Sequence, residues 1–355
     1  MKYSGIGGQA VLEGIMMMNR NTFAVAARRS DGGIEVRKDT YHSMTEKSKL
    51  LRLPFVRGVF RFADSMIVGT RALNFSAEVY GMEEEEGEEE PSRFEQFLDR
   101  VFGEKLEKII MAAVMVFSFA AAIGIFMVLP LLLAGVFRKM TESETLIAFL
   151  EGLLRVLIFV TYIKLVSRME DIRRTFMYHG GEHKCINCIE HGLPLTVENV
   201  RASSKEHKRC GTSFLLIVMM ISILVFMVVR VDGIAARIIS RIVLVPVIAG
   251  ISYEVLQAAG RSSSKLSDII AKPGLCMQAL TTTEPDDSMI EVAIAATEAV
   301  FDWRAYLREN FPDTVIPENI SRPEIRVTDA ADGPWKSEAD EKESGPTEQE
   351  GDIRL

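Results

Sequence analysis

The sequence predicts a mainly α-helical, polytopic membrane protein with about four transmembrane helices, a small N-terminal α+β region containing a β-hairpin, and a helical C-terminal region. Three observations predict it. Two long runs carry no charge, an alternating segment near residue 30 is interrupted by turn residues, and a polar stretch rich in His and Cys separates the apolar halves. The 355 residues allow two or three structural units at about 150 residues each. The expected organisation is an N-terminal region over 1–106, a membrane domain over 107–260, a helical region over 261–322 and a disordered acidic tail over 323–355.

In the N-terminal region, Thr22 to Arg28 alternates loosely, Ser30-Asp31-Gly32-Gly33 has turn composition, and Ile34 to Tyr41 resumes the alternation. That reads as a hairpin turning at Asp31–Gly33. Upstream, Gly5, Gly7 and Gly8 permit tight turns or close approach to another group, but no Gly-Lys-Ser/Thr follows to make a phosphate loop. The first residues hold Lys2 and Glu13 without a continuous apolar core, unlike a secretory signal peptide. Leu53 to Tyr80 reads as one or two helices with an apolar face and a basic one (Arg57, Arg61, Arg71), suited either to an anionic membrane surface or to packing on the hairpin. Glu83 to Glu90 contains seven carboxylates and reads as a solvated linker over 83–91.

Ile109 to Phe137 is 29 residues without a charge, and Thr212 to Val229 is 18. About 20 apolar helical residues cross the ~30 Å hydrocarbon layer, so both read as spans. Leu146 to Val166 is apolar but carries Glu151, Arg155 and Lys164, the first two on one helix face and able to pair. Ile234 to Ala259 holds Arg237, Arg241, Pro246 and Glu254, and is read as a fourth span or a re-entrant element. The segment 167–211 holds Arg168, Arg173, Arg174, Lys184, Arg201, Lys205, Lys208 and Arg209, against Arg138 and Lys139 between the first two spans. The positive-inside rule then puts both termini and this segment in the cytoplasm.

Beyond the spans, Ser262 to Lys265 is a polar break, Thr281 to Asp287 a loop, and 287–309 helical with an acidic first turn that suits the helix dipole. The net charge of −8 is unevenly distributed. The glutamate run contributes −7 and Thr328–Leu355 contributes −6, which leaves +5 on the rest. No basic stripe is dense enough for nucleic acid; the expected partners are the lipid bilayer and a membrane peptide, lipid or protein.

Four of the five histidines and three of the four cysteines fall within 167–211. In a reducing cytosol, such a concentration favours metal binding or catalysis over disulfides. His179 and His183 are four apart, so one helical turn would place both imidazoles on one face. Glu182 between them matches the His-x-x-Glu-His arrangement in which the glutamate is a general base. Gly180-Gly181 would cost a helix about 2 kcal/mol relative to Ala, which leaves a turn open as an alternative. His207 and Cys210 are candidates to complete a zinc site with His179 and His183. Cys185-x-x-Cys188 is a separate half-site or redox pair. His42 reads as a surface residue, and Cys276 as packed. Glu13, Glu284, Asp286 and Asp287 are loop carboxylates able to reach the same site.

Four separated motifs resemble the YqhQ-like family of bacterial multi-pass proteins of unknown function, often labelled predicted metal-dependent enzymes. They are Gly7 to Met17 (GGQAVLEGIMM), Tyr178 to Lys184 (YHGGEHK), Arg209 to Phe214 (RCGTSF) and Gln278 to Asp287 (QALTTTEPDD). The resemblance covers about residues 5–300 and implies His179, Glu182, His183, His207 and Cys210 as metal or catalytic positions. Lys208 stands where the family pattern His-Pro-Arg-Cys has proline. The leading expectation is a zinc-dependent, hydrolase-like membrane enzyme with Glu182 as its base. The alternatives are a non-enzymatic scaffold or assembly factor stapled by the metal and, third, a transporter using Glu151, Arg155 and Arg237.

Overall fold

The computed structural model describes residues 2–81, 106–229, 231, 233–261, 265–320 and 322–329. The predicted acidic linker and most of the predicted tail lie outside these residues. Strands β1 (Ile6–Val11), β2 (Gly14–Asn19), β3 (Thr22–Arg28) and β4 (Ile34–Thr40) form an antiparallel meander, and β5 (Ile325–Asp329) adds to β4 in parallel. The helices in chain order are α1 (Val56–Tyr80), α2 (Leu106–Ile123), α3 (Leu129–Ala134), α4 (Glu144–Val166), α5 (Glu170–Glu190), α6 (Val197–Ala202), α7 (Gly211–Val228), α8 (Ile234–Arg261), α9 (Lys265–Thr281), α10 (Asp287–Val300) and α11 (Trp303–Asn310).

The expected hairpin is β3–β4, closed where the Asp31 carboxylate accepts from Gly33 N–H at 2.9 Å and Gly32 takes a positive φ. Two tighter hairpins precede it, with two-residue loops at Leu12–Glu13 and Arg20–Asn21. Such loops need left-handed backbone, and Glu13 and Arg20 adopt it at φ 44° and 57°. The segment past Pro323, expected to be disordered, instead supplies β5, whose alternating Ile325 and Val327 let it zip onto β4.

Strand periodicity sends Ile15, Met17, Ala24 and Ala26 to one face of the sheet and Met16, Phe23 and Val25 to the other. The first face is covered by α5 and α10, the second by Val68, Ala72 and Phe75 of α1. Fully buried side chains such as Ile15, Met17 and Phe23 each contribute about 1.5–3 kcal/mol. The result is a helix–sheet–helix sandwich built from both ends of the chain and its middle.

Four helical stretches are long and apolar enough to cross a membrane: Ala113–Phe137, Glu144–Val166, Gly211–Val228 and Ala235–Ala259. The first passes through a π-helical turn at Gly124–Val128 just before Pro130. Proline lacks an N–H and its ring crowds the carbonyl four residues back; the wider turn accommodates both. The fourth is one continuous helix through Pro246 rather than a re-entrant element. Its Arg237 and Arg241, with Glu144, Glu151 and Arg155 of α4, are paired inside the bundle. Glu151 accepts from Arg241 at 2.6 Å and from Arg155 at 3.1 Å, Arg155 also reaches Ser222, and Arg237 pairs with Glu144 at 3.2 Å.

The sandwich is joined to the bundle where α1 crosses α8. Arg57 of α1 makes a two-pronged contact with Glu254 of α8, at 2.7 and 2.6 Å, and the Phe55 N–H donates to the same carboxylate. Phe55 holds a left-handed φ of 68° there. Gly250 makes this approach possible, since a Cβ on it would lie 2.3 Å from the Phe55 carbonyl oxygen. α1 is thus a helix packed on the sheet and clamped to a span. Gly250→Val should destabilise the chain by about 1–3 kcal/mol in detergent melts. Gly135→Ala, where a Cβ meets nothing within 4 Å, should leave the melting temperature unchanged.

Candidate functional site

The segment 167–211, read as a loop, is mostly helix: α5 and α6 occupy it. α5 is buried almost continuously from Tyr178 to Glu190 although it contains Glu182, His183, Lys184, Asn187 and Glu190. Lys184 and Asn187 have partners of fitting chemistry. Lys184 donates to the carbonyls of Arg201 and Ser203 and pairs with Glu284 at 2.9 Å, while Asn187 donates to the carbonyls of Ser204 and Glu206. The 203–206 backbone is therefore laid along α5 by side chains that replace its missing ladder.

Gly180 and Gly181 lie inside the helix, so the turn alternative is set aside. A Cβ on Gly180 would sit 2.1 Å from the Thr283 carbonyl oxygen, and Thr283 N–H bonds the Phe176 carbonyl at 2.9 Å. The helix accepts the propensity cost of Gly180 so that the strand of chain entering α10 can lie flat on it. Gly181 faces only ordinary contacts with Ala293, Ile15 and Met289 at 3.6–3.8 Å.

His179 and His183 project from one face of α5, with ring centroids 4.4 Å apart. Cys210, which caps the N-terminus of α7, meets them: one ligand atom from each of the three lies within 4.8 Å of the others, and Cys210 Sγ is 3.1 Å from His179 Nε2. Both imidazoles are oriented from behind. His179 Nδ1 lies 2.8 Å from the Thr281 carbonyl and His183 Nδ1 lies 2.6 Å from the Lys205 carbonyl. A carbonyl only accepts, so each Nδ1 carries a proton, and in the neutral imidazole each Nε2 then presents a lone pair. His183 Nε2 is buried with no hydrogen-bond partner. Cys210 Sγ also accepts from Thr212 N–H at the helix end.

His207 stands beside this group rather than in it. Its ring is 5.6 Å from that of His183, but its Nε2 is 3.2 Å from Arg209 and 3.8 Å from Glu190. Gln278 fixes its backbone by accepting from His207 N–H at 2.9 Å and donating to its carbonyl at 2.7 Å. Burial pushes the His207 pKa down, and Glu190 only partly opposes that. Glu182 is buried beside the histidines and accepts from the Gly8 backbone N–H. Burial raises its pKa, while His179 and the Gly8 N–H oppose the rise.

The remaining candidates lie elsewhere. Cys185 and Cys188 are buried in the sandwich core, where burial pushes the thiol of Cys185 well up and that of Cys188 to about 12. Both are free thiols packed as small groups in the core, and Cys188 Sγ donates to the Leu193 and Pro194 carbonyls. Glu13 pairs with Arg174 at 2.6 Å and accepts from Tyr178 Oη at 3.2 Å, Asp287 pairs with Arg201, and Asp286 caps α10. Of the four loop carboxylates, none joins the cluster. His42 is at the surface, as expected. Cys276, expected to be packed, is exposed, on the side of α9 away from Gly274, Met277 and Gln278.

Sequence reading missed Glu190. It is fully buried, and its carboxylate accepts from Ser4 N–H at 2.9 Å, Ser4 Oγ at 2.8 Å and Arg209. Burial alone would raise its pKa; His207, Arg209 and the Ser4 N–H outweigh that and hold it at about 2. The available signal was its spacing of eight from Glu182, two helical turns along the same face.

These features define a membrane-spanning protein whose sheet-bearing unit holds a His/His/Cys cluster at the mouth of a span. Residues 53–303 match a family described as "Protein of unknown function (DUF1385)", and the chain belongs to that family. It is 36% identical over 309 residues to the uncharacterized protein YqhQ of Bacillus subtilis (strain 168), covering 86% of this chain and 94% of that relative. No solved structure matches it significantly.

Gly180→Ala should destabilise the chain by about 1–3 kcal/mol, because the clash is with backbone, and Gly181→Ala should be close to neutral in the same melt. The Glu190 carboxyl sits below its ordinary 4.5 in the folded chain, so it stabilises the fold above that pH and the contribution fades as pH falls toward 2. Glu190→Gln should therefore melt well below wild type at pH 7, and the two melting curves should converge as the pH approaches 2.

Proposed function

We propose that this protein is a metal-dependent membrane enzyme in which His179, His183 and Cys210 hold a divalent transition metal, most simply zinc, and Glu182 is the general base of a hydrolytic reaction. The observation that carries this reading is the orphaned His183 Nε2, buried beside His179 Nε2 and Cys210 Sγ. Leaving a buried acceptor unsatisfied costs about 1–3 kcal/mol, and a cation removes that cost. Two nitrogens and a sulfur suit zinc, and carbonyls behind both imidazoles are the usual arrangement for metal-bound histidines. Three protein ligands are the pattern of a catalytic rather than a closed site.

Bound there, zinc would supply Lewis acidity and lower the pKa of water to near 7. The chain's own residues do the rest. Thr281 and Lys205 hold the imidazole tautomers. The Gly8 N–H orients Glu182, and burial lifts its carboxyl toward the range in which a base is effective at neutral pH. His207 lies behind the cluster and, in this reading, positions Arg209 and Glu190 instead of binding metal. Because Cys210 precedes the span Gly211–Val228, the site suits a substrate held at the bilayer surface, such as a membrane peptide or lipid. The proposed location is the cytoplasmic face of a bacterial cytoplasmic membrane, with both termini inside.

A second reading, a metal-stapled scaffold or assembly factor, is supported by the ligands' origins: two lie on α5 of the sandwich and one at the head of a span, so the ion would tie the two units together. Elemental analysis of the detergent-purified chain should find close to one zinc per chain in the wild type and in Glu182→Gln. It should find none in His179→Ala/His183→Ala. Metal absent from all preparations would overturn both readings. Full cellular function in a Glu182→Gln strain would favour the scaffold.

A further inference from the structure

The second face of the sheet is only partly covered. α1 packs over β3 and against the Gln9–Val11 end of β1, and beyond it Gly5 to Gly8 look across an open space at the last turns of α8. The space is a cavity of about 560 Å³, within the range of about 300–1,000 Å³ typical of small-molecule sites. Its charge is one-sided. Arg20, Arg61 and Arg209 line it against a single carboxylate, Asp64. That carboxylate is already engaged, accepting from Tyr41 Oη at 2.9 Å, Met44 N–H at 3.1 Å and Ser43 Oγ. Arg209 is shared with Glu190 and stacks on Tyr3. Among the described residues Arg20 and Arg61 have no ion-pair partner. Arg20 is also held in left-handed backbone by the β2–β3 hairpin, a conformation that non-glycine residues adopt at a cost.

The floor is open for a reason that packing does not supply. Gly7 has ordinary backbone, and a Cβ built on it meets nothing within 4 Å; a larger residue would fit the fold and fill the cavity. Gly8, next to it, is glycine because a Cβ would strike Met16 O at 2.6 Å. The opposite wall, Tyr253, Leu256 and Gln257, belongs to the end of the span Ala235–Ala259, which places the cavity at the depth of lipid headgroups.

We propose that this cavity binds the phosphate group of an anionic ligand, with its guanidinium groups forming the recognition element, and that a phospholipid headgroup is the source its position favours. Planar guanidinium donors match phosphate oxygens in paired hydrogen bonds, and phosphate is the anion that a bilayer presents at this depth. The inference does not rest on the metal reading, since neither Arg20, Arg61 nor Gly7 touches His179, His183, Cys210 or Glu182.

The full chain, delipidated in detergent, is titrated in native mass spectrometry with phosphatidylglycerol and with diacylglycerol of the same acyl chains. The expected result is a single phosphatidylglycerol adduct and no diacylglycerol adduct. Arg20→Ala/Arg61→Ala should weaken it at least about tenfold, the scale of lost charge-assisted hydrogen bonds. Gly7→Leu should abolish it while leaving the melting temperature and metal content unchanged. Glycerol 1-phosphate added as competitor separates the sources. Displacement at comparable concentration supports the same phosphate site with a soluble occupant, and failure to displace supports the lipid. An adduct that survives both variants, equal retention of diacylglycerol, or no binding of either phosphate compound would overturn the proposal.

Discussion

The structure depends on the contact between α5 and the edge strand β1. An edge strand exposes a row of backbone N–H groups that must be satisfied if it is covered. α5 covers it with side chains: Glu182 takes Gly8 N–H, and Glu190 takes Ser4 N–H and its hydroxyl. Eight residues of helix advance about 12 Å, and Ser4 lies just before the strand, where Gly5 turns the chain with a positive φ. The chain from Gly8 back to Ser4 runs antiparallel to α5, so Glu182 meets Gly8 and Glu190 meets Ser4. Burying two carboxylates would be prohibitive if they were unpaired. Here one is matched by Arg209 and held ionised, and the other lies beside His179. The histidines' position thus follows from a helix already anchored along its length by its acids.

The membrane part obeys the same constraint in a less forgiving solvent. Glu151 sits between Arg155 and Arg241, and both guanidinium groups also lie over the Phe226 ring. A buried pair of this kind is weak evidence for net stability, because desolvation offsets most of the attraction. It does fix the register of α4, α7 and α8 against each other, since a slipped helix would strand a charge in hydrocarbon. Those charges are accounted for as bundle contacts, which removes the main support for a transport pathway through them. Glu254, an acid of the fourth span, is matched from outside the bundle by Arg57. One ion pair therefore sets where the sandwich rests on the membrane.

Much of this was legible in the residues. Uninterrupted apolar runs announce spans because no soluble environment needs them, and the β3–β4 hairpin declared itself through Asp31-Gly32-Gly33. The pairing of Glu151 with Arg155 followed from helical spacing alone. The sheet's other strands were hidden. β1 and β2 are buried on both faces or rich in glycine and methionine, so they lack the alternation that marks a half-exposed strand, and β5 is separated from its partner by nearly 300 residues. α5 was hidden for the opposite reason: its polar composition reads as a loop, and only tertiary partners such as the Arg201 and Ser203 carbonyls make its burial possible. Gly180 looked like a helix breaker because propensity knows nothing of the Thr283 backbone that needs the space. His179, His183 and Cys210 were readable as a group, whereas His207 was not separable from them. Its exclusion rests on Glu190, and nothing local to His207 points seventeen residues upstream.

Two adjacent residues, Arg209 and Cys210, join the cluster to the cavity. Cys210 has extended backbone, φ −67° and ψ 143°, where it caps α7, and in extended chain successive side chains leave on opposite sides. Arg209 therefore points into the cavity beneath the sheet while Cys210 points to the histidines of α5. Glu190 grips Arg209 from the far end of the same helix, which ties the cap to the edge strand through Ser4. Gly8 repeats the pattern one strand away, with its amide bound to Glu182 and its neighbour Gly7 on the cavity floor. The cluster and the cavity are thus two sides of one wall, made by β1 and the start of α7, and a change of register in either element would disturb both together.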